Sequence, residues 1–164
     1  SVRLIAERLG EVIELDFRSR PPAPCVAPDE LLRGLGRKPR EVLKSRDFMA
    51  VYDSLADVAA LAPDMALLAQ VDSLGVIATA RGEDTDFVSR FFAPRAGVPE
   101  DPVTGSAHSS LIPFWAERLG KTELFARQIS RRGGELQCRH RGERVGIAGR
   151  AVTYCRGELE IPLP

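Results

Sequence analysis

The sequence predicts an α+β domain in which a β-sheet closes as a barrel around one buried helix. Strand-like runs stand at both ends of the chain. Between them, the segment 107–120 carries apolar residues at 107, 111, 112, 114, 115, 116 and 119, which cover well over half of a helical wheel. A helix that is apolar on most sides must be covered on most sides. The flanking strands are the elements available to cover it.

The composition indicates one domain, residues 1–164, with a small-molecule partner. Lys plus Arg equals Asp plus Glu at 23 each, so no overall field attracts nucleic acid or an anionic membrane surface. No apolar run reaches the roughly 20 residues of a membrane span, and no signal-peptide pattern is present. Three separated cysteines, Cys25, Cys138 and Cys155, indicate neither a disulfide framework nor a zinc site. We therefore expect free, packed thiols, no metal and a cytoplasmic location.

The part of the chain before the buried helix reads as strands with short helices between them. Gly10 separates two β-rich runs that predict a hairpin, and a Pro-rich extended crossing follows at 18–24. Ser54 is typical of a helix cap. The predicted strands are Val2–Leu9, Glu11–Phe17, Glu41–Ser45, Phe48–Tyr52, Leu74–Ala80 and Asp86–Ala93, and the predicted helices are 28–36, 54–61 and a turn or two from Pro63.

After the buried helix, which Gly120 should end, the pattern predicts a meander of hairpins. Pro113 should kink that helix or begin a second turn system. The predicted strands are Leu124–Ser130, Glu135–His140, Arg144–Ala148 and Ala151–Cys155, with a possible fifth at Glu158–Ile161.

The loop before the buried helix has the residues of a site. Glu100 and Asp101 precede Thr104-Gly105-Ser106, where Thr104 or Ser106 can serve as the N-cap. The free N–H groups of a first helical turn can hold an anion, and a neighbouring carboxylate can move a proton. The residues alone thus predict an anion-holding helix start beside an acid/base group.

Other sites are disfavoured by their spacing. No Lys follows Gly105, which excludes a P-loop, and no Gly-x-Gly-x-x-Gly fingerprint occurs. Ser106 lacks the companions of a nucleophile. Asp101 could instead form an Asx turn before Pro102, and His108 could bind either a substrate or the backbone. A basic cluster looks like a solvated hairpin face, because acidic residues interrupt it: Arg131, Arg132, Arg139, His140, Arg141 and Arg144.

One long stretch adds a family resemblance to this interpretation. It runs Arg90-Phe91-Phe92-Ala93-Pro94, then Gly97-Val98-Pro99-Glu100-Asp101-Pro102-Val103-Thr104-Gly105-Ser106-Ala107-His108, and closely resembles the C-terminal signature of the PhzF-like (phenazine-biosynthesis) isomerases and epimerases. Residues 114–121, 132–136 and 151–153 also resemble that family, so the likeness covers nearly all of the chain.

The resemblance implies a diaminopimelate-epimerase-like fold, in which each half is a β-barrel around a central helix. It implies a cofactor-independent isomerase that moves a proton at carbon of a small carboxylate, as in trans-2,3-dihydro-3-hydroxyanthranilate. Asp101 and Ser106 would be catalytic, and Gly105, Ser106, Ala107 and His108 would bind the substrate. Where racemases of this fold carry a cysteine, this chain has Thr104, which disfavours thiol chemistry.

Family chains are roughly twice as long, and their acid/base Glu belongs to an N-terminal half without a counterpart here. The resemblance therefore leaves two classes open. One is an isomerase completed by a homodimer or by association with an N-terminal half. The other is a non-catalytic half-domain or carboxylate-binding module.

Overall fold

The structure is a computed structural model that describes residues 5–158 and residue 160. The strands are β1 (Ile5–Leu9), β2 (Val12–Arg18), β3 (Ala23–Pro24), β4 (Glu41–Lys44), β5 (Phe48–Val51), β6 (Val76–Arg81), β7 (Phe87–Phe92), β8 (Glu123–Gln128), β9 (Gly134–Arg141) and β10 (Arg144–Arg150). The α-helices are α1 (Asp29–Leu35), α2 (Leu55–Ala59), α3 (Met65–Leu68) and α4 (Gly105–Leu119). A 3₁₀ turn occupies Pro94–Ala96.

All strands of the described residues form one sheet in the order β1-β2-β10-β9-β8-β7-β6-β5-β4-β3. Neighbours are antiparallel, except that β5 pairs with β6 and β7 with β8 in parallel. The sheet curves around α4, whose apolar residues share one core with side chains from β4 through β10. The predicted α+β fold is confirmed. Within the described residues, the edge strands β1 and β3 are not hydrogen-bonded to each other, so the barrel is incompletely closed.

Alternation along the central strands sends side chains to two separate cores. In β6, Ile77 faces α4, whereas Ala78 and Ala80 face the opposite side. Successive side chains of a strand point to opposite faces, so a strand buried on both faces is apolar throughout. The outer face is covered by α1, α2 and α3, which pack against β5, β6 and β7.

Local signals explain how the helices begin and end. Ser54 and Asp57 form a capping box at the start of α2, and Asp64 caps α3. Gly120 ends α4 with φ 63°, a left-handed conformation that glycine adopts without steric cost. The helix α4 continues through Pro113 without a second turn system.

The prediction of a strand at Ala151–Cys155 is wrong. Strand β10 continues through Gly149 to Arg150, and residues 151–158 after it are exposed and have no regular secondary structure. Cys155 is therefore exposed rather than packed, whereas Cys138 is buried and Cys25 is partly buried. The possible strand at Glu158–Ile161 lies largely outside the described residues, and so does the Val2–Leu4 portion of the first predicted strand.

Candidate active site at the start of the central helix

The first turn of α4 is open. Its N-cap residue, Thr104, has the extended backbone of a cap (φ −113°, ψ 99°), but no side chain accepts a hydrogen bond from the first-turn amides. These amides have no partner within an α-helix, and the helix dipole makes them favourable for an anion. The chain thus presents free N–H groups at Gly105, Ser106 and Ala107.

Thr104 does not cap the helix because its side chain is used elsewhere. Its hydroxyl donates to Asp101 Oδ2 at 2.5 Å. Gln128, fully buried at the end of β8, accepts from the Thr104 amide at 2.9 Å and donates to the Asp101 carbonyl at 2.7 Å. Gln128 therefore fixes the loop that carries Asp101. Sequence analysis missed it, although a polar residue at the core-facing end of the Leu124, Ala126 alternation was a usable signal.

Asp101 lies beside the helix start, half-buried. Its backbone N–H donates to the Phe91 carbonyl at 2.9 Å. Its carboxylate accepts from the Thr104 hydroxyl, rather than from a backbone amide as in an Asx turn. The second oxygen, Oδ1, has no hydrogen bond among the described residues and is available to a ligand.

The neighbouring carboxylate, Glu100, is not available. Both of its oxygens accept from Arg90, at 2.7 and 3.0 Å. The same guanidinium donates to the carbonyls of Val58 and Leu61 at the end of α2, at 3.2 and 2.7 Å. Arg90 thus fastens the loop before α4 to the outer helices. Of the two carboxylates in the loop, only Asp101 keeps an oxygen without a hydrogen bond among the described residues.

Ser106 faces the hairpin between β4 and β5. Arg46 Nη2 donates to Ser106 Oγ at 2.9 Å and to Asp47 Oδ2 at 2.6 Å. Asp47 is 2% exposed, and its Oδ1 has no partner in the described structure. No pattern in the sequence joins Arg46 to Ser106, since 60 residues separate them.

His108 is completely buried. Its Nδ1 shares a hydrogen bond with the Thr104 carbonyl at 2.8 Å, and its ring lies 6.0 Å from that of Phe87. Burial lowers the pKa of His108, and the hydrogen bond to Thr104 raises it by a smaller amount. The resulting pKa is about 4. The sequence left two roles open for His108, binding a substrate or binding the backbone. In the structure its ring forms the hydrogen bond to the backbone. Ala107, 1% exposed, offers a ligand only its amide.

A groove of about 930 Å³ adjoins the helix start and is lined mainly by residues of β2, β9 and β10. Its lining includes Gly105 and Val103, with Arg132 and Arg150 among its charged members and Leu15 and Ile147 among its apolar ones. A Cβ on Gly105 would lie 3.5 Å from the Phe17 ring, an ordinary van der Waals distance, so Phe17 packs close to the helix start. Of the predicted site residues, only Gly105 lines the groove.

The basic hairpin cluster is largely neutralised by strand β2. Arg139 and Arg141 each lie 2.7 Å from Glu14, and Arg144 lies 2.7 Å from Asp16. These arginines complete cross-strand ion pairs, as expected of a solvated hairpin face. Within the described residues, no set of three or more metal-ligating side chains converges. None of the helices described has the length and apolar character that crossing a membrane requires.

The fold defines an α+β protein in which a mixed sheet curves around one central helix, and the uncapped start of that helix lies beside the carboxylate of Asp101. The family model for phenazine biosynthesis-like proteins (PhzC-PhzF) matches residues 32–157. The chain belongs to this family.

Several curated relatives are named as uncharacterized isomerases, and two of them show the extent of the likeness. That of Pseudomonas aeruginosa is 50% identical over 98% of this chain and 62% of its own length, and that of Halalkalibacterium halodurans is 46% identical over 95% and 60%. The crystal structure of a PhzF-family phenazine biosynthesis protein from Enterococcus faecalis superposes with a TM-score of 0.88 at 40% identity, over 95% of this chain and 60% of that one. The chain thus spans about three fifths of the length of these relatives.

Proposed function

We propose that this chain is the part of a cofactor-independent isomerase or epimerase that holds the carboxylate of a small substrate while a proton moves at a neighbouring carbon. The single observation that carries the proposal is the uncapped start of α4, with Asp101 hydrogen-bonded beside it. A substrate of the trans-2,3-dihydro-3-hydroxyanthranilate type fits this chemistry. The cytoplasm is the compartment we expect.

The physical role of the helix start follows from where charge develops. Removing a proton next to a carboxylate transfers negative charge to the carboxylate oxygens. Amide N–H groups of Gly105 and Ser106, together with the dipole of α4, stabilise that charge more than they stabilise the ground state. Ser106 would add a hydroxyl donor, and Asp101 would orient the substrate through its free oxygen.

A second acid/base group must come from outside the described residues. Glu100 is held by Arg90, and Asp47 by Arg46, so neither can shuttle protons. Next to the groove, the exposed segment 151–158 carries Val152 and Tyr154, 94% and 101% exposed. Large apolar side chains that are exposed beside a ligand groove are typical of a surface that a second polypeptide covers. We propose an N-terminal half of the family type, or a second copy of this chain, as that partner.

The same carboxylates favour a second candidate, a carboxylate-binding module without catalysis. If Glu100 and Asp47 serve only structure and Asp101 only orients the ligand, the described residues bind an anion but lack a general base. The two candidates differ in whether a completed cleft turns over.

The test is deuterium wash-in at the acidic carbon of a dihydro-hydroxyanthranilate, followed by NMR. We expect no enzymatic wash-in by the monomeric chain, because a general acid/base contributes roughly 10²–10⁴-fold and orientation across a closed cleft adds more. Adding a family N-terminal half should restore wash-in, and Asp101→Asn should abolish it again. An assembled but inactive pair would favour the binding module. Rapid wash-in by the monomer would show that a complete site exists in this chain.

A further inference from the structure

We propose that Arg46 is a positioning residue for the anion held at the start of α4. It orients the hydroxyl of Ser106 toward the ligand and places a fixed positive charge beside the first-turn amides. This inference rests on the proposed function, since it concerns the same anion site.

The guanidinium of Arg46 is held rigidly. Its Nε and Nη2 both donate to Asp47 Oδ2, at 3.0 and 2.6 Å, and Asp47 is almost wholly buried. The hairpin is also fastened to its surroundings, because Ser45 Oγ lies 2.7 Å from Ser110 Oγ on α4. The Ser73 hydroxyl, which lies 2.9 Å from the Gly75 carbonyl, is also 3.4 Å from the carbonyl of Arg46. A group fixed in this way loses little entropy when a ligand arrives.

The bond from Arg46 determines what Ser106 can donate. A hydroxyl has one hydrogen and two acceptor positions. Because Ser106 Oγ already accepts from Arg46, its own hydrogen is free for an oxygen in front of the helix start. A charged donor also polarises the hydroxyl and strengthens the bond that it gives.

Arg46 can also act on the ligand directly. Its side chain is 33% exposed, and its Nη1 has no hydrogen bond among the described residues. The compensating carboxylate of Asp47 is 2% exposed, so a ligand that approaches from solvent meets the guanidinium first. The ion pair is neutral overall, and we therefore expect an effect on anion affinity of about tenfold rather than a larger one.

The experiment titrates the isotopically labelled chain with benzoate and follows the amides of Gly105, Ser106 and Ala107. Arg46→Gln alone would leave Asp47 buried and unpaired, which destabilises the fold. The test variants are therefore Arg46→Lys, which keeps the ion pair, and R46Q/D47N, which replaces it by a neutral pair. The matched control is R118Q/E41Q, because the Arg118–Glu41 ion pair joins the other end of α4 to β4 at 2.7 Å.

We expect R46Q/D47N to weaken benzoate binding about tenfold and Arg46→Lys to weaken it less, while the control binds like the wild type. Urea unfolding of each variant separates this result from a structural role, which would lower stability without changing the affinity of the folded protein. If R46Q/D47N does not fold, the test is the benzoate affinity of Arg46→Lys compared with that of the control R118Q/E41Q. Unchanged affinity in the folded variants overturns the role of Arg46 and leaves the anion site standing. If benzoate shifts none of these amides in the wild type, the anion site and the role of Arg46 are both wrong.

Discussion

The backbone N–H of Arg20 donates to the carbonyl oxygen of Ser109 at 2.8 Å. Ser109 lies four residues before Pro113, which has no N–H to donate back to it. The Pro-rich crossing between β2 and β3 thus supplies the hydrogen bond that the proline removes from α4. This contact ties the incompletely closed side of the sheet to the central helix.

Pro113→Ala should therefore stabilise the protein by far less than the roughly 3 kcal/mol that proline costs in an ordinary helix interior. The new N–H would meet a carbonyl that Arg20 already occupies, and the loss of ring contacts opposes any gain. Urea unfolding measures the difference, and hydrogen exchange should show the Arg20 amide protected. A gain near the full 3 kcal/mol, with Arg20 unprotected, would contradict the contact.

Arg90 should be important for stability, and Glu100 should be dispensable for chemistry. Arg90→Ala leaves Glu100 and two carbonyls without their donor, and we expect a loss of about 2–4 kcal/mol in the free energy of unfolding. In the protein completed by an N-terminal half, Glu100→Gln should retain deuterium wash-in within a few fold, whereas Asp101→Asn should not. Equal losses from the two substitutions would mean that Glu100 takes part in the reaction.

His108 should make the protein less stable as the pH falls. Its pKa is lowered from 6.5 to about 4 by burial, so between these values the unfolded chain binds a proton that the folded chain does not. The stability that neutral His108 provides is fully present above pH 6.5. As the pH falls from 6.5 to 4, the free energy of unfolding declines by about 3 kcal/mol in total. His108→Gln should flatten this decline in urea unfolding. A decline that persists in His108→Gln would assign it to other groups.

Asp86 should contribute in a separate, more acidic range. Burial alone would raise the pKa of Asp86, but hydrogen bonds from the Lys121 side chain and the Phe125 amide lower it below the usual 3.8. The stability from ionised Asp86 is present above that value and is lost as the pH falls through the lowered pKa. Asp86→Asn should therefore lower the free energy of unfolding near pH 6, and this difference from the wild type should shrink as the pH falls below 3.8. A difference of the same size above and below pH 3.8 would show that it does not come from ionised Asp86 and its pairing with Lys121.

The three cysteines should differ in reactivity. Cys155 is exposed and should react first with a thiol reagent under native conditions. Burial raises the pKa of Cys138 to about 12, and it should resist until the protein unfolds, with Cys25 between the two. Modification of Cys155 should leave benzoate shifts at Gly105–Ala107 unchanged, because the site uses no thiol. Loss of binding on labelling would contradict this.

Much of the fold could be predicted because its signals are local. The capped start of α2, the turn at Gly120 and the hairpins β1–β2 and β9–β10 depend on residues that are neighbours in the chain. The missing strand at Ala151–Cys155 shows the limit of such signals. Its alternating pattern suits a strand, but a strand exists only where a neighbouring strand accepts its hydrogen bonds.

The sequence by itself determined the buried central helix, a start next to Thr104 or Ser106 and the presence of Asp101 beside it, since these follow from apolar periodicity and from loop residues a few positions apart. The structure decided that the helix begins at Gly105. The tertiary structure alone decided which carboxylate is free and which side chains hold the site. Gln128 reaches Thr104 and Arg46 reaches Ser106 across 24 and 60 residues, through strands that curve around α4. A difference of a few tenths of an ångström between donor and acceptor decides whether a side-chain hydrogen bond forms, and the folding of the whole sheet determines that distance.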